Sequence, residues 1–370
     1  MKKRTVGFMI LFISVIIISS TINVSLSKPN TGPIQGCSSF CLSNPVSCVF
    51  GANLDIFFKS GLLFVNKRNM VKTGWEMGTT GKIAKWTSQY GSLSFNIVGY
   101  QMAWGGMNEA GLIISTLNLP RKTKMPIPDQ RPQLNGPFWV QYQLDNCATV
   151  AEVIASDSRV RIAPNEQVHY LVCDKKGNCA VIEFLGGKMV NYTGGDLPVN
   201  VLTNSVYKES LDAWRAKKNQ SEDSLRRFAL AADELGKKHT FTDSRKMVDY
   251  AFQVLSLVSR SDTVWSIVFD NQEFQVYFIS QGNQQRRWID FKKLDFSSKT
   301  PVQMLDVFTP LAGNINNSLL PYSHQACLEQ MKKAFHELAP SLSANDIKSL
   351  LSTVESFPYA KIKENSTKEQ

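Results

Sequence analysis

Cys37 heads the residues that could do chemistry. A thiol is a nucleophile only as its thiolate, so a catalytic cysteine needs a lowered pKa or a nearby base. The usual base is a histidine, but His169, His239, His324 and His336 sit in no suggestive motif. A cut just before Cys37 would meet the need differently. The new first residue would carry both a thiol and a free α-amine, whose ordinary pKa is about 8. Asp55 could then orient that amine. Each residue also has a plainer use: Cys37 as half of a disulfide, Asp55 as a strand-end surface carboxylate. The chain has no HExxH, no CxxC pair, no Gly-rich phosphate loop and no G-x-S-x-G elbow, so metal, phosphate and serine-triad chemistry have no motif behind them.

Two apolar runs, 37–42 and 48–54, flank a turn at Ser43-Asn44-Pro45. They read as a β-hairpin that would bring Asp55 back toward Cys37. Upstream, Lys2-Lys3-Arg4, the apolar run 8–18 and Ser25-Leu26-Ser27 have the parts of a secretory signal, residues 1–27, leaving 28–36 as a propeptide. The apolar run is short for a membrane span, so cleavage is favoured over a stable membrane anchor. The protein is expected to be exported, periplasmic or extracellular, where disulfides persist. A lipid on Cys37 fits badly, because the mostly polar stretch 19–36 separates it from the apolar run.

With 370 residues, 43% hydrophobic and 19% charged, the chain has ample core for one large domain plus an appendage, or for two domains. The net charge of +10 is spread widely, and its densest runs, Lys2-Lys3-Arg4 and 121–124, are too short to argue for nucleic acid. There are seven cysteines. Cys41 and Cys48 flank the first hairpin turn, and Cys173 and Cys179 flank a second at 174–178. Cys147 and Cys327 either pair or stay buried, and Cys37 is left as the odd thiol.

Strand-like runs follow at 56–65 and 93–98, with a polar stretch at 67–82 between them. Residues 105–112 read as a turn before a strand at 113–119, and a Pro-rich loop comes next. Apolar spacing of three and four predicts helices at 138–144 and 150–154, the latter capped by Thr149. Strands are expected at 167–173, 179–184, 198–203, 263–270, 274–279 and 288–291. Helices are expected at 224–235, after a Ser221-Glu222-Asp223 start, and at 245–258. Strands dominate the first half and helical pairs lie between sets of strands, which predicts an α+β layered domain over 37–310. A C-terminal helical appendage, 311–360, holds amphipathic helices at 324–338 and 344–357, with Leu328, Met331, Phe335 and Leu338 on one face of the first. Residues 361–370 read as a disordered tail.

From Cys37 to about Phe296 the sequence resembles the choloylglycine hydrolase and penicillin V acylase family, linear amide C–N hydrolases with an N-terminal nucleophile. The resemblance rests on ordered motifs: Cys37-Ser38-Ser39-Phe40; Asn53-Leu54-Asp55; Trp86-Thr87-Ser88 with Tyr90-Gly91-Ser92; and Gly106-Met107-Asn108-Glu109-Ala110-Gly111-Leu112. It continues through Leu117-Asn118-Leu119-Pro120, Leu144-Asp145-Asn146, Ala180-Val181-Ile182-Glu183, Leu202-Thr203-Asn204-Ser205, Arg227-Phe228 and Thr263-Val264-Trp265. It implies an αββα Ntn-hydrolase sandwich of two antiparallel sheets between helical layers. It also implies Cys37 as nucleophile and, through its amine, acid and base, with Asp55 holding that amine. Asn204 would donate its side-chain amide to the oxyanion, Asn118 would complete that hole by side chain or backbone, and Arg227 would support the nucleophile. No cofactor is implied. Substrates in this family are small amides with an apolar acyl group, such as conjugated bile salts, phenoxyacetyl penicillins and acyl-homoserine lactones, and the exported chain leans toward the acylase branch. Phe57, Phe58, Met102, Trp104 and Trp139 could line such a pocket, or pack in the core. Family members are often homo-oligomeric, though the 204–227 stretch that would build those contacts is short here. One departure stands out: the family usually has an arginine three residues before the aspartate, and this chain has Ala52. Either Arg227 suffices, or another cation substitutes, or activity is altered.

Two other functional classes remain at this level. An acyltransferase would share the acyl-enzyme but use an amine acceptor. A secreted binding protein on a degenerate version of the fold would keep 28–36 and leave Cys37 internal. A structural role in an envelope assembly has only the basic surface and the C-terminal helices behind it.

Overall fold

The computed structural model describes residues 35–43, 48–57, 59–75, 81–97, 99–119, 124–164, 166–218, 221–238, 241–338 and 361–362. Two large, mostly antiparallel sheets lie face to face. The first has seven strands in the order Val201–Leu202, Gln35–Ser43, Cys48–Ile56, Thr263–Asp270, Gln275–Ser280, Asn283–Asp290 and Gly313–Asn314. The second has nine, in the order Lys188–Thr193, Cys179–Leu185, Val168–Cys173, Ile113–Asn118, Ala103–Asn108, Ser92–Asn96, Leu62–Asn66, Gln303–Asp306 and Leu320–Pro321. Helices Asp223–Leu235 and Ser244–Leu257 pack on the first sheet, and helix Gly136–Asn146 on the second. This is the expected α+β αββα sandwich. Both faces of each sheet are covered, so the central strands read as continuous apolar runs and Cys48–Ile56 is buried at all nine positions. Across the two sheets Ser115 Oγ meets Ser39 Oγ at 2.8 Å, a buried hydroxyl pair that satisfies both groups.

The hairpin is present, with its first strand starting at Gln35, and it pairs Gly36 with Asp55 and Cys37 with Leu54. The Thr149 capping box is present, and so are the helices at 224–235 and 245–258 to within a residue. At the first of these, Glu222 caps through no side-chain bond, and Asp223 instead opens the helix, where its charge suits the dipole.

Other expectations are corrected. The 56–65 run is not one strand: Ile56 ends the hairpin and pairing resumes at Leu62. The polar 67–82 stretch contains the strand Met70–Thr73, and 105–108 are strand rather than turn. Only Val201–Leu202 of 198–203 is strand, whereas 288–290 belong to the longer Asn283–Asp290 and Phe291 opens a short 3-10 turn. A helix, Tyr207–Arg215, fills the stretch between Asn204 and Arg227. Helix His324–Leu338 packs through Cys327 on Leu62 and Phe64, and its Met331 and Ala334 join the main core. The second expected C-terminal helix lies outside the described residues. Lys361 and Ile362, at the start of the expected disordered tail, pair with Val71 and Met70. Cys173 and Cys179 form a disulfide, whereas Cys41 and Cys48 stay thiols with sulfurs 2.9 Å apart, and Cys147 and Cys327 are separately buried and free. Among the described residues no helix is long and apolar enough to cross a membrane.

Candidate active site

Strand alternation sorts the hairpin's side chains. Directly opposed residues share a face and successive ones alternate. Cys37 and Leu54 therefore point together into the space between the sheets, while Gly36, Ser38, Asn53 and Asp55 point at the helical layer. The contacts agree. Asn53 Nδ2 donates to the Leu255 carbonyl of helix Ser244–Leu257 at 2.8 Å, and Ser38 accepts from Arg227 of helix Asp223–Leu235 at 2.6 Å. On the inner face the Trp104 indole lies near the Cys37 sulfur, its Nε1 buried with no hydrogen bond among the described residues, and Trp265 packs beside Trp104 with ring centroids 6.0 Å apart.

Only the backbone nitrogen of Cys37 is common to both faces. It donates to Asn204 Oδ1 at 2.8 Å. The Cys37 carbonyl accepts from Arg227 Nη1 at 2.5 Å, and Arg227 Nη2 donates to the same Asn204 Oδ1 at 2.8 Å. Asn204 Nδ2 donates to the Asn118 carbonyl at 3.0 Å. The structure thus joins Cys37, Asn118, Asn204 and Arg227 in one bonded cluster. With Gly36 still attached, Asn118 enters it through its backbone oxygen, and the Asn204 amide is turned onto that oxygen.

Asp55 borders the cluster beside Gly36. Its Oδ1 accepts from Thr263 Oγ1 at 2.6 Å, and its Oδ2 is buried with no hydrogen bond among the described residues. A Cβ on Gly36 would stand 2.9 Å from that oxygen and 3.0 Å from Arg260 Cδ, so a larger residue would have to push these side chains aside. Burial raises the Asp55 pKa to about 6; Arg227, the Thr263 hydroxyl and Arg260 act against the rise, and Asp262 adds to it. Burial likewise pushes the Cys37 thiol up to about 12, with the Asp55 charge adding to the rise and Arg227, the Asp55 backbone N–H and the Trp104 indole opposing it. With Gly36 still attached, the thiol is held protonated at neutral pH.

Ala52 is buried in the strand opposite Ser39 and Ile267. The second cation of the site is Arg260, whose Nε lies 4.0 Å from Asp55 Oδ2. Sequence reasoning missed it, and it saw Asp223 only as part of a helix start. Asp223 Oδ2 accepts from Arg227 Nε at 2.9 Å and from Arg260 Nη1 at 2.8 Å. Burial works against the Asp223 charge, and the two arginines outweigh it, holding the carboxyl below its usual range.

Behind Asn204, the Thr203 carbonyl meets His169 Nε2 at 2.7 Å, and His169 Nδ1 meets Glu183 Oε1 at 2.9 Å. Ser205 Oγ reaches Ser224 Oγ at 2.8 Å, docking the Thr-Asn-Ser turn on the helix that carries Arg227. His169 and Glu183 therefore brace the turn from within the core. Asp145 is scaffold too: it accepts from Trp86 Nε1 at 2.7 Å and pairs with Lys72 at 2.9 Å, both side chains buried. Of the suggested pocket residues, Trp139 is core, stacked on Tyr170 with centroids 4.3 Å apart, and Phe57 is 53% exposed. Met102 is buried, and Phe58 lies outside the described residues.

A buried thiol, a backbone nitrogen held by an amide oxygen, and a buried carboxylate oxygen that accepts no hydrogen bond among the described residues thus lie together. The sequence model for linear amide C–N hydrolases of the choloylglycine hydrolase family matches residues 37–258. Penicillin V acylase of Pectobacterium atrosepticum is 26% identical over 264 residues, 58% of this chain and 70% of that protein. The structure of penicillin V acylase from Agrobacterium tumefaciens superposes with a TM-score of 0.66 at 26% identity, covering 78% of this chain and 98% of the other. A mutant conjugated bile acid hydrolase from Clostridium perfringens superposes at 0.60 with 17% identity over 76% and 99%, a likeness of fold. The chain belongs to the choloylglycine hydrolase family of linear amide C–N hydrolases.

Proposed function

We propose that the protein is exported as a precursor, loses residues through Gly36, and then hydrolyses a small amide with an apolar acyl group through Cys37. The observation that carries this reading is Asp55 Oδ2, a buried carboxylate oxygen without a hydrogen bond, opposite the Gly36–Cys37 peptide. A buried acceptor left unmade costs about 1–3 kcal/mol. A free α-ammonium at Cys37 would supply donors for both Asp55 and Asn204. The family match beginning at residue 37 supports the same start.

In the mature chain the amine takes the thiol proton, and the sulfur attacks the amide carbonyl. The Asn204 amide, released from the Asn118 carbonyl, and a donor from the 118–119 segment hold the oxyanion; each such donor is worth about 3–4 kcal/mol. The ammonium returns the proton to the leaving nitrogen, so the C–N bond breaks and a thioester remains. Water, deprotonated by the amine, cleaves the thioester and restores the thiol. The acyl group would lie on the inner face, against Trp104 and Trp265. Apolar, aryl-bearing acyl groups such as the phenoxyacetyl of penicillin V match the apolar character of these two indoles.

Intact mass and N-terminal sequencing of the purified protein, beside Cys37→Ser, test the reading, together with turnover of penicillin V and of glycine-conjugated bile salts. The expected result is a start at Cys37 with amide turnover, both lost in the variant. A start at Lys28 in both samples, with no turnover, would overturn it.

A further inference from the structure

We propose that Arg260 is a positioning residue of the active site, holding negative charge on Asp55 and, through Asp223, fixing Arg227 against Cys37. This rests on the proposed function for its consequence, but not for its geometry. Arg260 precedes the strand that supplies Thr263, and three contacts hold it. Its Nε donates to Asp262 Oδ1 at 2.8 Å, its Nη2 to Asp262 Oδ2 at 3.1 Å, and its Nη1 to Asp223 Oδ2 at 2.8 Å. Its backbone N–H donates to Thr263 Oγ1 at 2.8 Å, and that hydroxyl donates in turn to Asp55 Oδ1. The segment therefore grips Asp55 twice, by hydroxyl on one oxygen and by guanidinium charge 4.0 Å from the other.

The groups facing Asp55 can be named element by element. The first strand brings the Gly36 peptide, helix Asp223–Leu235 brings Arg227, and the loop before Thr263 brings Arg260 and Asp262, while the Cys37 thiol lies on the opposite face of the strand. Arg227 already serves four acceptors: Cys37, Ser38, Asn204 and Asp223. Arg260 is the only other cation among these groups. It is also the side chain that Gly36 lies against, so removal of residues up to 36 would leave its guanidinium lining the space beside the new amine. A cation placed there favours the ionised carboxylate and so an ammonium on Cys37. The Arg260–Asp223–Arg227 chain locks the second helix-borne cation to the same loop.

A brace with no electrostatic task would not move a titration, which sets the test. Precursor protein carrying 13Cγ-aspartate, kept uncleaved by Cys37→Ser, is titrated by NMR with Arg260 intact and as Arg260→Gln and Arg260→Lys, with Asp55→Asn assigning the resonance. In Arg260→Gln the Asp55 titration is expected to rise by about one pH unit, and Arg260→Lys to restore most of it. In the matured enzyme the acid limb of kcat/KM for penicillin V should rise with it, giving about a fivefold loss at pH 6. Lysine cannot span Asp262 and Asp223 together, so Arg260→Lys should keep the titration yet lower kcat several-fold. A folded Arg260→Gln whose Asp55 titrates with the wild type overturns the proposal. If that variant does not fold, an Arg260→Lys with wild-type kcat does so. A wild type that turns over no amide would sink the proposed function instead, and the Asp55 titration would still decide the role of Arg260.

Discussion

Replacing Arg227 by methionine keeps the length of the side chain and removes its charge and donors. The structure shows what each former partner has left. Asp223 keeps Arg260 at 2.8 Å, and Asn204 Oδ1 keeps the Cys37 N–H at 2.8 Å. The Ser38 hydroxyl loses the donor it accepts from. The Cys37 carbonyl is orphaned as well, because its 2.5 Å bond from Arg227 has no replacement among the described contacts. One unsatisfied buried carbonyl costs about 1–3 kcal/mol. Removing a fully buried guanidinium also relieves its desolvation, so the variant should fall well short of the 3–5 kcal/mol typical of a broken buried ion pair. Catalysis should suffer more than folding. Losing a cation beside the thiol costs about 1–3 pKa units of thiolate stabilisation, and Asn204 loses one of the two donors that fix its oxygen. Together these predict a fall of about 10²- to 10³-fold in kcat/KM in a protein that still folds. Urea denaturation beside steady-state hydrolysis of penicillin V separates the two effects, with Arg227→Lys expected in between. A Met variant within threefold of wild-type kcat/KM would refute the role given to Arg227. So would one that loses activity only as it loses structure.

Asp55→Asn should separate stability from activity. The folded pKa of Asp55 is raised from 3.8 to about 6, so folding favours its protonated form. That advantage is full below pH 3.8 and is lost as pH rises through about 6. The Asn variant should therefore match the wild type near pH 3.5 and exceed its unfolding free energy at pH 8 by about 1–3 kcal/mol, while losing maturation and hydrolysis. Equal stability at pH 8 would count against it. Lys72→Met leaves Asp145 buried with Trp86 and Gln141 as its only donors, and should cost about 3–5 kcal/mol without changing kcat of the folded fraction. A loss under 1 kcal/mol in urea would contradict the importance given to this pair. Cys41 and Cys48, with sulfurs 2.9 Å apart, should close to a second disulfide under a mild thiol oxidant. Peptide mapping should find the linked pair and the loss of two hydrogens; two alkylatable thiols after oxidation would oppose this.

What was legible in the sequence was what local chemistry fixes. Cysteines bracketing turn residues marked both hairpins, and spacing of three and four marked helices Gly136–Asn146 and Val150–Ala155. Glycine misled at Gly105 and Gly106. They read as turn residues, yet they lie in a strand because a Cβ there would stand 2.7 Å from the Ile114 carbonyl and 2.3 Å from the Leu93 carbonyl. The short polar helix Tyr207–Arg215 gave no apolar run to see. Of the site, Cys37, Asp55, Asn118, Asn204 and Arg227 came from motif order, and the structure gathers them around one backbone nitrogen. Asp223 and Arg260 did not come, because an ion pair between residues 37 positions apart leaves no period in the sequence. Nor did the burial of His169, whose work is to hold a carbonyl behind Asn204.

The two faces of the hairpin explain why such a site needs a chain end. The Cys37 sulfur points between the sheets and the Asp55 carboxylate points at the helices, as their register demands. Asp55 cannot take the thiol proton across the strand, and no histidine contacts the sulfur among the described residues. The one atom that reaches both sides is the nitrogen of Cys37. As a peptide nitrogen it has no basic lone pair, and it leaves Asp55 Oδ2 unsatisfied and the thiol protonated. As the free amine proposed above, it would be the base, with Asp55 and Asn204 as its acceptors. Latency in the precursor and activity in the mature chain would then follow from one bond, and the glycine before it is small because Asp55 and Arg260 already occupy the space a side chain would need.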